Sequence, residues 1–107
     1  MTSATLDPVF DALASDHRRR IVHQLANGPL DTPTLGATYD LSKQALNRHL
    51  VVLTDAGLVQ RELTGRVHRL TLVTDPLDGV TDWISTVRNG WQANLDRLGI
   101  ILGEDQA

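Results

Sequence analysis

The chain has 107 residues, 41% of them hydrophobic, enough for one compact core and too few for a second, so residues 1–107 are read as a single domain. It contains no cysteine, which excludes disulfides, thiolate metal sites and thiol nucleophiles. Its net charge of −3 is unevenly spread: residues 1–14 hold two acids and no base, residues 75–107 hold six acids against Arg88 and Arg97, and residues 15–74 hold eight bases against five acids. A basic centre between acidic ends suits a polyanion bound by the centre alone.

In chain order, Asp7-Pro8 is an N-cap followed by proline at the first helical position, and it predicts a helix over about 8–14 with Val9, Phe10 and Leu13 as its apolar side. Ser15 or Asp16 caps a second helix, which runs to about Asn27 on the stripe Ile21, Val22, Leu25 and Ala26 and stops at Gly28-Pro29. Thr32-Pro33 repeats the cap-and-proline signature and starts a short third helix over about 34–38, with Leu35 and Ala37 apolar. After a turn at Tyr39-Asp40-Leu41, Ser42 caps a fourth helix from Lys43 to about Ala56, and Gly57 ends it. Leu46, Leu50 and Leu53 recur along it at helical spacing. Two helices joined by a tight turn make a helix-turn-helix.

From Leu58 the period changes to that of strands. Leu58–Leu63 and Val67–Val73 flank Thr64-Gly65-Arg66, which predicts a β-hairpin with a basic tip. A last helix covers about 76–102: Leu77, Ile84, Trp91 and Leu98 lie seven apart, Val80, Val87 and Ile101 form the adjoining row, and Leu95 and Leu102 widen the stripe. Gly90 is a candidate for a kink or break, and Gly103–Ala107 for a frayed end. The expected fold is mainly α with a β-hairpin, a winged helix-turn-helix of order α-α-α-α-β-β-α.

In the fourth helix the three leucines take the core side and leave Gln44, Asn47, Arg48 and Val51 facing out. Gln and Asn pair bidentately with adenine and Arg with guanine in the major groove, so this face has the chemistry of a base reader. Ser42 and Lys43 sit at the helix N-terminus, where free N–H groups attract phosphate. His49 fits either a hydrogen-bonded, partly buried residue or a phosphate contact. The hairpin adds Arg66 at its tip, then Arg69, with Arg61 open between DNA and solvent. Arg18, Arg19 and Arg20 point about 100° apart on a helix, so they fit phosphate contact or pairing with Asp16 but cannot act as one group.

The runs Leu13-Ala-Ser-Asp-His-Arg-Arg-Arg-Ile-Val, Leu25-Ala-Asn-Gly-Pro-Leu and Leu41-Ser-Lys-Gln-Ala-Leu-Asn-Arg-His-Leu-Val-Val-Leu-Thr-Asp-Ala-Gly-Leu-Val resemble the ArsR/SmtB family of bacterial and archaeal repressors over about residues 7–102. The resemblance implies a homodimer whose recognition helices enter successive major grooves of an imperfect palindrome and block transcription. The residues point to a dimer as well, because the last helix is too apolar for a chain of this size to cover. Trp83, Ile84, Val87, Trp91, Leu95 and Leu98, with Val9 and Phe10 of the first helix, are the expected interface.

The sequence departs from the metal-sensing relatives, which use a cysteine pair near the third helix or Asp and His residues on the last. It has no cysteine, and residues 75–107 contain no histidine, so no family-type metal site and no cofactor are expected, and a metal-responsive repressor with a site outside the family pattern is kept as an alternative. Asp75, Asp78 and Asp82 have the spacing of a hard-cation patch, yet acids in the first turns of a helix are adequately explained by the positive end of its dipole. An unidentified small-molecule or protein effector, or no ligand at all, both fit the residues. The chain shows no nucleophile–base pair and no glycine-rich phosphate loop, which argues against an enzyme. A winged-helix module that binds protein rather than DNA is the competing reading, supported by the isoelectric point near 5.7. The first ten residues lack the basic and apolar regions of a signal peptide, and no apolar run approaches the roughly 20 residues that span a bilayer, so a cytoplasmic protein without a membrane partner is expected.

Overall fold

The structure, a computed structural model, describes the backbone of residues 3–103 and the side chains of residues 6–99. The expected frayed end beyond Gly103 and the side chains of Ile101 and Leu102 lie outside the described residues. Five helices and a small sheet follow one another as α1 (Ser3–Leu13), α2 (Asp16–Leu25), β1 (Leu30–Asp31), α3 (Thr32–Tyr39), α4 (Lys43–Asp55), β2 (Val59–Thr64), β3 (Val67–Leu72) and α5 (Asp75–Gly103). The sheet is antiparallel with strand order β1-β3-β2.

The winged helix-turn-helix expected from the sequence is present, with three local differences. First, α1 begins before Asp7-Pro8, so Pro8 lies inside the helix rather than at its start. Its ring removes one backbone hydrogen bond, and the burial of Leu6 to 5% exposure offsets that loss by anchoring the extra turn. Second, the cap of α3 is Asp31, whose carboxylate accepts from the Thr34 N–H at 2.7 Å, so Pro33 is the second helical residue and not the first. Third, Leu30–Asp31 forms a short strand on the outer edge of β3, pairing Leu30 with Leu70 and Asp31 with Arg69. The hairpin is thereby a three-stranded sheet.

The core is built where α2, α3, α4 and the sheet meet, with Ile21, Leu35, Leu50, Leu53, Leu58 and Leu70 all but inaccessible to water. Ala26 and Ala37, expected on the apolar sides of their helices, are exposed. Small side chains at the rim of a stripe gain little from burial. Val9 is a larger correction: at 2% exposure it belongs to the chain's own core and offers no surface to a second subunit.

The three consecutive arginines have separate tasks. Arg18 is half-buried; its Nε donates to the Ala12 carbonyl at 2.7 Å and its Nη2 to the Asp11 carbonyl at 3.0 Å. Arg19 donates to the Leu13 carbonyl at 2.7 Å, and Arg20 pairs with Asp16 at 3.0 Å on the surface. Arg18 and Arg19 thus satisfy the last carbonyls of α1, where a cation also meets the negative end of the helix dipole. Each hydrogen bond from a charged donor contributes about 1.5–3 kcal/mol when it is shielded from water, and Arg18 is partly shielded. Arg18→Met, which keeps much of the stem's packing, is therefore expected to cost about 2 kcal/mol of stability. In urea unfolding this would be a lower midpoint at an unchanged slope, and an unchanged midpoint would remove Arg18 from the account of how α1 is held.

The last helix, α5, runs unbroken through Gly90. Its 29 residues correspond to about 44 Å at 1.5 Å per residue. Its first turns pack on the body through Leu77 and Val80, and Phe10 meets Trp83 edge-on at 5.7 Å between ring centroids. Every residue from Thr81 to Gly99 is exposed. The helix projects from the domain, which gives the molecule a length of 68 Å and a radius of gyration of 19.6 Å, against about 13 Å for a compact chain of this length.

Candidate nucleic-acid interface

Ser42 has extended backbone angles, and its hydroxyl accepts from the Ala45 N–H at 3.1 Å, which starts α4 at Lys43. Leu46, Leu50 and Leu53 are buried on one side. That burial fixes the helix rotation and leaves Ser42, Lys43, Gln44, Asn47 and Arg48 exposed, with Val51 beside them at 44% exposure. Gly57, at φ +78°, ends the turn that follows the helix and lets the chain enter β2.

The hairpin turns over Gly65-Arg66, with Thr64 opposite Val67 and Gly65 at φ +64°. A positive φ at the first of two loop residues is the arrangement that matches strand twist, and it leaves Arg66 exposed at the tip. The ladder sorts the other arginines. Arg61 lies opposite the buried Leu70, and its half-buried side chain reaches across to α4, donating from Nη1 to Asn47 Oδ1 at 2.9 Å. Arg69 belongs to the other face of the ladder, opposite Glu62 and beside Asp31. Hydrogen bonds from Thr34, aided by Arg69, hold the Asp31 carboxyl below its ordinary pKa. The structure thus gathers Lys43, Gln44, Asn47, Arg48, Arg61 and Arg66 along α4 and the hairpin. It places Arg69 on a separate face between two carboxylates.

His49 also turns away from the open face. It is half-buried against α2, where Arg18 Nη1 lies 3.4 Å from its Nδ1 and the His17 ring lies 5.5 Å away. Burial first, then the charges of Arg18, His17 and Arg48, push the His49 pKa below its ordinary 6.5. A neutral imidazole with its proton on Nε2 can accept from Arg18, whereas an imidazolium cannot. Above about pH 6.5 the ring is neutral in folded and unfolded chains alike; below it the unfolded chain takes up the proton first, so stability falls with pH. Thermal melts from pH 7.5 to 5 should show a weaker pH dependence for His49→Gln than for the wild type, and equal slopes would show that His49 does not couple to folding.

Among the described residues no three His, Asp or Glu side chains gather as metal ligands, and no helix is long and apolar enough to cross a membrane.

Residues 13–62, which contain the helix-turn-helix, match the family described as "Helix-turn-helix domain". The chain is 41% identical over 66 residues to the HTH-type transcriptional regulator Rv2034 of Mycobacterium tuberculosis, a match over 60% of this chain that spans 62% of that relative's length. It is 37% identical over 86 residues to the uncharacterized HTH-type transcriptional regulator YuzN of Bacillus subtilis, covering 73% of this chain and 94% of that one. A solved structure described as an ArsR family transcriptional regulator superposes with a TM-score of 0.82 at 25% identity, covering 86% of this chain and 95% of the other. The winged fold, the exposed polar face of α4 and these likenesses agree, and the chain belongs to the ArsR family of helix-turn-helix transcriptional regulators.

Proposed function

We propose that this chain is a cytoplasmic, homodimeric repressor that binds a palindromic site in double-stranded DNA, with α4 in the major groove and the tip of the hairpin on the neighbouring backbone. The observation that carries this reading is the face of α4: Gln44, Asn47 and Arg48 are exposed together, and Arg61 of the hairpin is hydrogen-bonded to Asn47. Gln44, Asn47 and Arg48 read base edges, and Ser42, Lys43, Arg61 and Arg66 take phosphates. Arg69 and His49 drop to the edge of the proposal, Arg69 because it faces carboxylates and His49 because it packs on α2.

The dimer is formed by the terminal helices. The apolar stripe of α5 starts on residues that pack against the chain's own body, Leu77 and Val80, and continues without a cover through Val87, Trp91, Leu95 and Leu98. Isolated surface leucines need no explanation, but a continuous row with two half-exposed tryptophans on a projecting helix calls for a second helix. The residues repeat every seven, the period at which two helices keep one seam in contact. Phe10, 38% exposed and edge-on to Trp83, extends the seam onto α1. A twofold axis there places two α4 helices on one side of a duplex, about 34 Å apart for successive major grooves.

The test is a titration of the purified chain onto random and genomic DNA fragments at several salt concentrations. Binding to a short palindrome with a steep salt dependence, about −0.9 in log–log slope per phosphate neutralised, is the expected result. Binding that never exceeds the nonspecific level even at low salt would leave the fold as a protein-interaction module.

A further inference from the structure

Between α4 and the hairpin lies a cleft of about 440 Å³, within the range of sites that enclose small organic ligands. Its floor and walls are apolar: Leu46 and Leu50 of α4, Pro33 of α3, and Val67, which is 43% exposed. Around these stand Lys43, Arg61, Arg66 and His68, and no carboxylate among the described residues lines it. Two of those basic side chains are incompletely satisfied. Arg61 Nε and His68 Nδ1 are closed off from water and have no hydrogen-bond partner, a state that buried polar groups rarely keep.

We propose that this cleft binds a small organic anion, an aromatic or branched apolar body bearing one carboxylate, and that its occupancy excludes DNA. The apolar walls take the body of the ligand, for which a phosphate offers nothing. The ring of cations takes the carboxylate, and Arg61 is placed to be its main partner through a side-on, two-bond contact. That contact uses Nε and Nη2, while Nη1 donates to Asn47 Oδ1 at 2.9 Å, so the ligand and Asn47 hold opposite edges of one guanidinium. The contact gives Nε the acceptor it lacks, and the bound ligand covers cations that DNA needs. The inference rests on the reading of α4 and the hairpin as the DNA-contacting face, and it names the regulator of that face.

The probe is 2-naphthoate, titrated into the isotope-labelled full chain without DNA and followed by amide NMR shifts. Saturable shifts centred on Leu46, Asn47, Arg61, Val67 and His68 are expected, with 2-naphthalenemethanol, the neutral analogue, and the Arg61→Gln variant each weakening binding by about tenfold. In a parallel titration, naphthoate should lower the apparent DNA affinity in proportion to its occupancy. Shifts centred instead on Trp83 and Trp91, equal binding of the neutral analogue, or inorganic phosphate binding as tightly as naphthoate would each overturn the site. Naphthoate binding that leaves DNA affinity unchanged would overturn the exclusion. Since the NMR titration contains no DNA, a failure of the DNA-binding reading is seen separately, in the fragment titration.

Discussion

A Trp91→Glu substitution is expected to convert the protein to monomers and to weaken DNA binding by 10²–10⁴-fold while leaving the winged domain folded. Trp91 is 62% exposed and lies in the stretch from Thr81 to Gly99 where every residue is exposed, so the substitution takes nothing from the buried core of the described residues. In the proposed dimer the same position is buried at the seam, and two unpaired carboxylates there meet a severe desolvation cost. The loss of DNA affinity follows without any change in the DNA-facing residues. Joining two half-site readers makes the second binding event intramolecular, which raises affinity by about 10²–10⁴-fold, and a monomer forfeits that gain. Asn89→Glu places the same charge on the opposite face of the same helix and should leave both mass and affinity as in the wild type. Sedimentation and fluorescence anisotropy of the three proteins decide the matter: a Trp91→Glu protein that remains dimeric, or a monomer that binds the operator as tightly as the wild type, would refute the proposed assembly.

The outward face of α4 was legible in the sequence because three strong local signals coincide there. The Ser42 cap fixes where the helix starts, the three leucines fix its rotation, and Gly57 fixes its end. The hairpin was legible for a similar reason, as a change of period around a glycine turn. What the sequence did not carry was side-chain direction across elements. Nothing near Arg61 and Arg69 says which shares a face with α4, because that depends on the register Arg61–Leu70 set by the whole ladder. The short strand Leu30–Asp31 was invisible because two residues have no period, and its partner lies in the far strand of the hairpin. Val9 and Phe10 are neighbours on one apolar stripe, and only packing shows that Val9 enters the core while Phe10 faces outward to Trp83. The arginine run showed that its members must diverge, but not that Arg18 would end up on the carbonyls of α1.

In DNA binding, Asn47→Ala and Arg48→Ala are expected to have comparable costs with different signatures. A bidentate base contact discriminates by about 1–3 kcal/mol, so each substitution should lower specific affinity by about 5–150-fold per half-site and relax the preference for one base pair. The signatures differ because Asn47 is neutral. Its removal should leave the salt dependence of binding as it was, whereas removal of a cation that touches phosphate lowers the log–log slope by about 0.9 per contact, twice over in a dimer. Arg48→Ala with an unchanged slope assigns Arg48 to a base; with a reduced slope it assigns Arg48 to the backbone. Arg61 adds a third term, since it holds Asn47 by a 2.9 Å hydrogen bond. Replacing Arg61 both deletes a cation and frees the Asn47 amide to rotate. The effects of Asn47→Ala and Arg61→Gln should therefore fall short of additivity, by about 0.5–3 kcal/mol in a double-mutant cycle. Strict additivity would mean that the hydrogen bond seen in the free chain has no part in the complex, and that Arg61 acts on DNA independently of the recognition helix.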